Sequence, residues 1–168
     1  MANSTFSGPL RSESTVKTIS KNATTGTITE VTTLGDAPVS LSDGNVTLTN
    51  ATHSGRILFV PDGGQDNTYT LPAPIAGSVF RFVYAGGAAD ATDAIIVTPG
   101  NSNFFIGGVS FLDTDNEVSA VFSDGNSNSK IQINTPAGFD VTIVGLNTTN
   151  YQIFGNVTGA NAPTFADQ

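Results

Sequence analysis

The sequence contains no cysteine, no tryptophan and a single histidine, His53. Without cysteine the chain has no disulfide bonds and no thiolate sites for zinc or an iron–sulfur cluster. One histidine does not supply the two or three imidazoles of a catalytic zinc site, and no Gly-x-Ser-x-Gly motif provides a serine nucleophile. His53 lies just before a predicted strand, and we interpret it as a polar turn residue.

Charged residues are also scarce, at 12% of the 168 residues, whereas threonine, serine and asparagine together make up 53. This composition excludes coiled coils and long surface helices, because the solvent faces of such helices need Glu, Lys and Arg. Threonine and valine suit pleated strands, and Asn, Gly, Asp and Ser suit the turns between them. The composition therefore predicts an all-β protein.

Positive charge is the scarcer sign, with six Lys and Arg against 14 Asp and Glu and a formal net charge of −8. This balance argues against nucleic acid or an anionic membrane surface as a partner. No run approaches the roughly 18 apolar residues of a membrane span. The first residues lack the basic start and apolar centre of a signal peptide, so we expect synthesis in the cytoplasm.

Residues 1–25 are expected to form an extended N-terminal arm, because small polar residues there surround isolated apolar ones that cannot bury much surface. Residues 1–21 have a net charge of +2, from Arg11, Lys17 and Lys21 against one acid, whereas the rest of the chain carries −10. We expect the arm to become ordered against a neighbouring subunit or another partner. A frayed terminus without a role is the alternative.

Residues 26–168 are expected to form a β-sandwich. Segments such as Asn45–Thr49 alternate apolar with polar residues, as half-buried strands do, and Ile57–Val60 is continuously apolar, as a core strand is. The predicted strands are 27–32, 45–49, 56–60, 68–71, 78–85, 93–98, 117–122, 130–134, 139–146 and 151–154. Short strands separated by turn dipeptides, without a helical period or a fixed repeat, favour a sandwich or jelly roll over a propeller or solenoid.

The apolar stretch Phe104-Phe105-Ile106 lies between segments typical of loops. Two interpretations remain open for it. We favour a short core strand; in the other interpretation, Phe104 and Phe105 contact an identical neighbouring subunit.

Three carboxylates stand at alternate positions in Asp113, Asp115 and Glu117, a pattern of oxygen ligands that could hold Ca²⁺. Val118 occupies the position where an EF-hand loop needs glycine, and the segment suits a solvated turn equally well. Calcium binding therefore stays open, and we assign no metal or cofactor. We interpret Asp124–Ser129 as a plain hairpin loop.

Nothing in the sequence places two carboxyl groups across a cleft, as a glycosidase requires. Sugar-binding platforms usually stack sugars on aromatic rings, but Tyr69, Tyr84 and Tyr151 all lie in predicted strands, where core packing is expected. The sequence therefore predicts no enzymatic activity.

Several segments are similar to a known protein family: Met1–Ser12, Gly55–Val60, Tyr69–Pro72, Ala76–Phe82, Asp93–Val97, Lys130–Ile133, Gly155–Val157 and Pro163–Asp167. In these segments the sequence resembles the capsid decoration, or cement, proteins of tailed bacteriophages, especially marine and cyanobacterial ones. The matching motifs are structural and not catalytic, and related sandwiches also occur in tail fibres.

The resemblance implies a structural protein on the exterior of the virion capsid, made in the host cytoplasm. Its partners would be the major capsid protein and further copies of itself, as a homotrimer suited to the three-fold axes of icosahedral shells. The arm would then bind the capsid through basic residues on acidic shell surface and apolar residues in grooves between capsid subunits. The basic residues are Arg11, Lys17 and Lys21. The apolar residues are Phe6, Pro9 and Leu10.

The alternative function is a host-recognition module of a tail fibre or tailspike. Such a module would bind surface glycans through the loops around Gly86-Gly87 and Asp113–Glu117. A polysaccharide hydrolase is a third option, which the missing carboxylate pair and the single histidine disfavour.

Overall fold

The computed structural model describes residues 18–31, 37–84, 91–115 and 117–168. The chain divides into two compact units, residues 1–35 and residues 36–168. The predicted arm, residues 1–25, falls within the first unit. Within the described residues, no helix combines the length and the apolar character needed to cross a membrane.

The first unit contains a β-hairpin. Strand β1 (Thr18–Lys21) pairs antiparallel with β2 (Ile28–Val31). The turn between them is stabilised by Asn22, whose side-chain carbonyl accepts hydrogen bonds from the backbone N–H groups of Thr24 and Thr25. Gly26 adopts a φ of 70°, which lies in the left-handed region that favours glycine.

The second unit is an all-β sandwich, as the sequence predicted. Its elements are β3 (Val39–Ser40), β4 (Val46–Thr47), α1 (Asn50–His53), β5 (Arg56–Phe59), β6 (Asn67–Thr70), β7 (Val79–Tyr84), β8 (Ala94–Val97), β9 (Phe104–Asp113), β10 (Val118–Phe122), β11 (Lys130–Ile133), β12 (Pro136–Gly145), β13 (Asn150–Gly159) and β14 (Thr164–Ala166). A seven-stranded sheet has the order β10-β9-β13-β12-β7-β5-β3, and a five-stranded sheet has the order β14-β11-β8-β6-β4.

The first six strands of this unit alternate between the two sheets. Strands β3, β5 and β7 are parallel neighbours in the larger sheet, and β4, β6 and β8 are parallel neighbours in the smaller one. The chain therefore winds around the core and crosses from one sheet to the other with each strand. A jelly roll is built from antiparallel strands, so the winding gives this sandwich a different topology.

The remaining strands are mostly antiparallel. The long strands β12 and β13 form a hairpin, and β12 also pairs antiparallel with β7. Pro136-Ala137-Gly138 has a composition typical of a turn, but it begins β12 at a shift of register. The ten-residue strand β13 runs parallel to β9. The connection Asp124–Ser129 is not a hairpin loop, because it leads from β10 in one sheet to β11 in the other.

The core lies between the two sheets. Along β7, Phe80, Phe82 and Tyr84 face inward and are buried. Tyr69 on β6 meets Phe82 across the core with ring centroids 6.0 Å apart.

The three tyrosines Tyr69, Tyr84 and Tyr151 are buried, which confirms their predicted place in the core. The Tyr151 hydroxyl donates a hydrogen bond of 2.8 Å to the carbonyl of Pro72. Burial raises the pKa of this phenol well above its usual value.

Candidate interaction surface

Large apolar side chains are exposed on the outer face of the seven-stranded sheet. One of them, Phe59 on β5, is 45% exposed. The other four belong to β9, β10 and β13, with exposed fractions of 40% for Leu112, 76% for Val118, 70% for Phe122 and 48% for Phe154. The outer face of a solvated sheet ordinarily carries polar residues, and an exposed apolar patch marks an interaction site. We call these four residues the outer apolar surface.

The strand register brings members of this surface together. Val118 on β10 lies directly opposite Leu112 on β9, and Phe122 lies opposite Gly108. A Cβ atom placed on Gly108 would lie 2.7 Å from a ring carbon of Phe122. Glycine at this position therefore lets the Phe122 ring lie against β9.

Beside Phe154, the outer face carries an ion pair between Arg81 on β7 and Asp140 on β12. The Arg81 Nε donates to Oδ1 of Asp140 at 2.9 Å, and Nη2 donates to Oδ2 at 2.5 Å. These hydrogen bonds hold the pKa of Asp140 below its usual value and raise the pKa of Arg81. Because both side chains are partly exposed, the pair contributes little to stability, and its main effect is to fix the orientation of both groups.

An open depression of about 290 Å³ lies over this ion pair. It is lined by Arg81, Asp140, Thr142, Phe154, Gly155 and Asn156. Gly155 has a φ of 147°, and a Cβ atom there would crowd the backbone of β12. The depression thus combines an aromatic ring with hydroxyl, amide, guanidinium and carboxylate groups.

One end of the sandwich is acidic. The strand directions place the loops β3–β4, β5–β6, β7–β8 and β9–β10 at the same end. The described part of these loops, together with the last residue of β9, contains Asp43, Asp62, Asp66, Asp93, Asp113, Asp115 and Glu117. The opposite end carries Arg56 and Lys130 together with Asp124 and Asp167. The described charges are therefore distributed unequally along the strand axis.

At the acidic end, Asn and Asp side chains accept hydrogen bonds from the backbone of the strand or loop that follows in the same sheet or at the same end. The side chain of Asn45 accepts a hydrogen bond from the N–H of Thr68, and Asp66 accepts one from the N–H of Asp93. Asp93 in turn accepts one from the N–H of Thr135. These carboxylates and amides satisfy backbone donors that no strand partner reaches.

Asp43 has the same structural role. Its carboxylate accepts hydrogen bonds from the N–H of Gly64 and from the side-chain amide of Asn67, and these bonds lower its pKa. Asp113 accepts a hydrogen bond from the N–H of Asp115, within the turn between β9 and β10. Among the described residues, no group of three or more His, Asp or Glu side chains is arranged to hold a metal ion.

His53 lies in the single-turn helix α1, where the sequence predicted only a turn. The helix begins after Thr49, whose hydroxyl caps it by accepting a hydrogen bond from the N–H of Thr52. The His53 Nδ1 lies 3.0 Å from the backbone nitrogen of Thr49 and accepts its hydrogen bond. The imidazole therefore helps to close this helical turn.

The structure locates part of the predicted site. Phe6, Pro9, Leu10, Arg11 and Lys17 lie outside the described residues, as do Gly86 and Gly87. Lys21 is the last residue of β1 and pairs with Ile28.

Phe104 and Phe105 begin strand β9, as the core-strand interpretation expected. Phe104 is half-buried, whereas Phe105 is fully buried and packs against Tyr151 and Phe165. The subunit itself therefore covers the Phe105 ring, and a contact with an identical neighbouring subunit stays a prediction.

The outer apolar surface was not among the predicted site residues. The segment Val118–Phe122 was predicted as a strand, but its exposure was not foreseen. One signal was present in the sequence: this segment contains three large apolar residues, Val118, Val121 and Phe122, and no charged residue, so neither of its faces is clearly polar.

No protein-family model, curated protein or solved structure matches the chain.

Proposed function

We propose that the chain is a structural subunit of a tailed-phage virion that binds the outer surface of the capsid and stabilises the head. The virion assignment rests on the sequence resemblance described above. The assembly role rests on the exposed apolar side chains of the seven-stranded sheet. In this proposal the protein is not an enzyme, and its partners are the major capsid protein and further copies of itself.

The outer apolar surface is the observation that carries the assembly role. Phe122 and Val118 are exposed to 70% and 76%, and both belong to a regular strand rather than a loop. Exposing such side chains to water is unfavourable, and covering them with a partner recovers free energy in proportion to the apolar area removed from water. This surface fits a partner that contacts the face of the sheet broadly.

The charge distribution supports a second contact through the N-terminal arm. Residues 1–21 carry +2 in a chain with a net charge of −8. A basic segment of this kind suits an acidic capsid surface, and Arg11, Lys17 and Lys21 would supply the charge.

The proposed mechanism is mass action. A subunit that binds only the closed, expanded shell lowers the free energy of that state relative to the ruptured one. Several contacts within one oligomer strengthen the effect, because the first contact raises the effective concentration of the others.

Co-sedimentation of the purified protein with capsids tests the proposal. We expect saturable binding by the full chain, and loss of binding when residues 1–21 are deleted. The deletion should leave the unfolding transition of the sandwich unchanged, because residues 36–168 form a separate compact unit. Absence of binding by the full chain would refute the capsid role, and full binding by the truncated chain would refute the role of the arm.

The depression over the Arg81–Asp140 pair favours a second candidate function, glycan recognition by a tail fibre or tailspike module. Its lining places the Phe154 ring beside the polar side chains of Thr142 and Asn156, and sugar sites combine a ring with hydrogen-bonding groups in this way. This function predicts saccharide binding on a glycan array or by calorimetry, with no affinity for capsids. Phe154→Ala should abolish the saccharide signal, and Ile75→Ala, an exposed apolar residue outside the depression, should preserve it.

A further inference from the structure

Strand β10 is an edge of the seven-stranded sheet, and no described strand pairs with its outer side. Among the described residues of the second unit, the other sheet edges are β3 and β4 with two residues each and β14 with three, whereas β10 has five. Proteins usually keep edge strands short or place charges or proline on them, because a free edge pairs readily with another strand. The segment Val118–Phe122 has none of these protections.

The hydrogen bonds of β9 and β10 show which backbone groups are free. The N–H of Asp113 donates to the carbonyl of Glu117, and the N–H of Ser123 donates to the carbonyl of Gly107. In an antiparallel pair, bonded and non-bonded positions alternate along the strand. The odd-numbered residues of β10 therefore bond to β9, and the N–H and C=O groups of Val118, Ala120 and Phe122 point to the open side.

We propose that two copies of this chain pair through β10, antiparallel and around a two-fold axis at Ala120. In this register Ala120 faces Ala120 of the second copy, and Val118 faces Phe122 of the second copy. In all three facing pairs, the backbone N–H and C=O groups of both residues point toward the other copy. This arrangement allows about six backbone hydrogen bonds between the copies. The two seven-stranded sheets then form one continuous sheet.

The side chains of β10 fit this arrangement. On the outer face each Phe122 ring lies opposite a smaller Val118 side chain, and the small Ala120 side chains meet at the axis. Like charges at opposite positions of two paired strands repel each other. A two-fold axis places identical residues close together, so a charged residue near the axis would face its own copy. A strand without charges avoids this repulsion even though the whole chain carries −8.

The lengths of the edge strands favour a two-fold dimer over a closed ring of three or more copies. A ring requires β10 to pair with a different edge of the next copy. Among the described strands, β3, β4 and β14 offer only two or three residues, and β1 and β2 of the first unit offer four. Pairing of β10 with itself uses all five. This contact generates a dimer, whereas the symmetry of icosahedral shells led us to expect a trimer. An interface built on one strand pair is small by the standard of stable complexes, so the dimer should be reversible.

Sedimentation velocity of the full chain, from about 1 µM to about 1 mM, tests the stoichiometry. We expect a concentration-dependent equilibrium between monomer and dimer. A monomer throughout this range, or a trimer, would overturn the proposal. Protection of the Ala120 amide from hydrogen exchange that does not change with concentration would also overturn it, because a segment of the same chain would then cover the edge.

Substitutions at Ala120 test the position of the axis. Its side chain is exposed and its backbone groups lie outside the β9 ladder, so Ala120→Lys should leave the monomer folded. Two lysines facing each other should raise the dimer dissociation constant more than about tenfold. Ala120→Thr is the matched control, since threonine suits a strand and adds no charge, and it should keep the dimer.

A mixture of variants provides the decisive measurement. Ala120→Lys and Ala120→Glu should each be monomeric alone, but an equimolar mixture should form a heterodimer, because opposite charges then face each other at the axis. A mixture that stays monomeric, or an Ala120→Lys variant that still dimerises as well as the original chain, would show that Ala120 does not lie at a two-fold axis.

Discussion

Replacement of Phe122 by serine tests the assembly role of the outer apolar surface. A phenylalanine side chain can bury roughly 150 to 250 Å². Since 70% of Phe122 is exposed, on the order of 140 Å² is left for a partner to cover. At about 25 cal/mol per Å² this corresponds to about 3.5 kcal/mol as an upper bound. Because area converts incompletely into affinity, we expect Phe122→Ser to weaken capsid binding by about 10-fold to 100-fold.

The same substitution should affect folding much less. The buried 30% of the ring amounts to roughly 60 Å², which limits the loss of unfolding free energy to about 1.5 kcal/mol. Urea unfolding measures this loss, and co-sedimentation with capsids over a range of protein concentrations measures the affinity. Phe154→Ser tests the same surface two strands away from the sheet edge, and should weaken binding in the same direction.

The matched control is Ile75→Ser. Ile75 is 55% exposed but lies in the loop before β7, outside the outer apolar surface. Its substitution removes a comparable apolar side chain and should leave capsid affinity unchanged. If Phe122→Ser binds capsids as well as the original chain does, or if Ile75→Ser weakens binding equally, the outer apolar surface is not the binding face.

Three further predictions concern stability. Tyr151→Phe leaves the buried carbonyl of Pro72 without its donor and should lower the unfolding free energy by about 1 to 3 kcal/mol; an unchanged urea midpoint would contradict the hydrogen bond. Gly155→Ala forces a Cβ against β12 at a φ of 147° and should cost more than about 2 kcal/mol, whereas Gly100→Ala, with no atom within 4 Å of the new Cβ, should be nearly neutral in the same urea titration. Hydrogen bonds from Ser127 and neighbouring N–H groups lower the pKa of Asp124 far below 3.8, so its contribution to stability is complete above that pH and is lost as the pH falls below it. Asp124→Asn should therefore reduce the difference in thermal midpoint between pH 7 and pH 2.5, and an unreduced difference would refute this role.

Periodicity predicted the strands but not their partners. Ile131 and Ile133 alternate with polar residues in Lys130–Asn134, and the structure places β11 there with both isoleucines buried. The same alternation is compatible with parallel and antiparallel pairing, because both bury every second side chain. The parallel winding of β3 to β8 was therefore not visible in the sequence.

Glycine and proline did not always predict a turn correctly, because some of them lie inside strands. Pro136-Ala137-Gly138 has the composition of a turn, yet it begins β12, where a shift of register accommodates the irregular backbone. Gly155 lies in the middle of β13 because the close approach of β12 requires a residue without a side chain. In both places a tertiary contact decided the conformation.

The candidate site was less predictable than the fold. The strand at Val118–Phe122 could be predicted, but its position at the edge of a sheet depends on the order of all seven strands. The ion pair of Arg81 and Asp140 joins residues 59 positions apart, and only the pairing of β7 with β12 brings them together.

The acidic end of the sandwich has a consequence for how the protein meets other molecules. Seven of the described carboxylates lie at one end, whereas Arg56 and Lys130 balance Asp124 and Asp167 at the other, so the described body is an electric dipole whose axis follows the strands. A charged surface turns such a body during diffusion, before any atoms touch. A negatively charged surface would therefore be approached by the end with Arg56 and Lys130, and the fraction of productive encounters would fall as added salt screens the field.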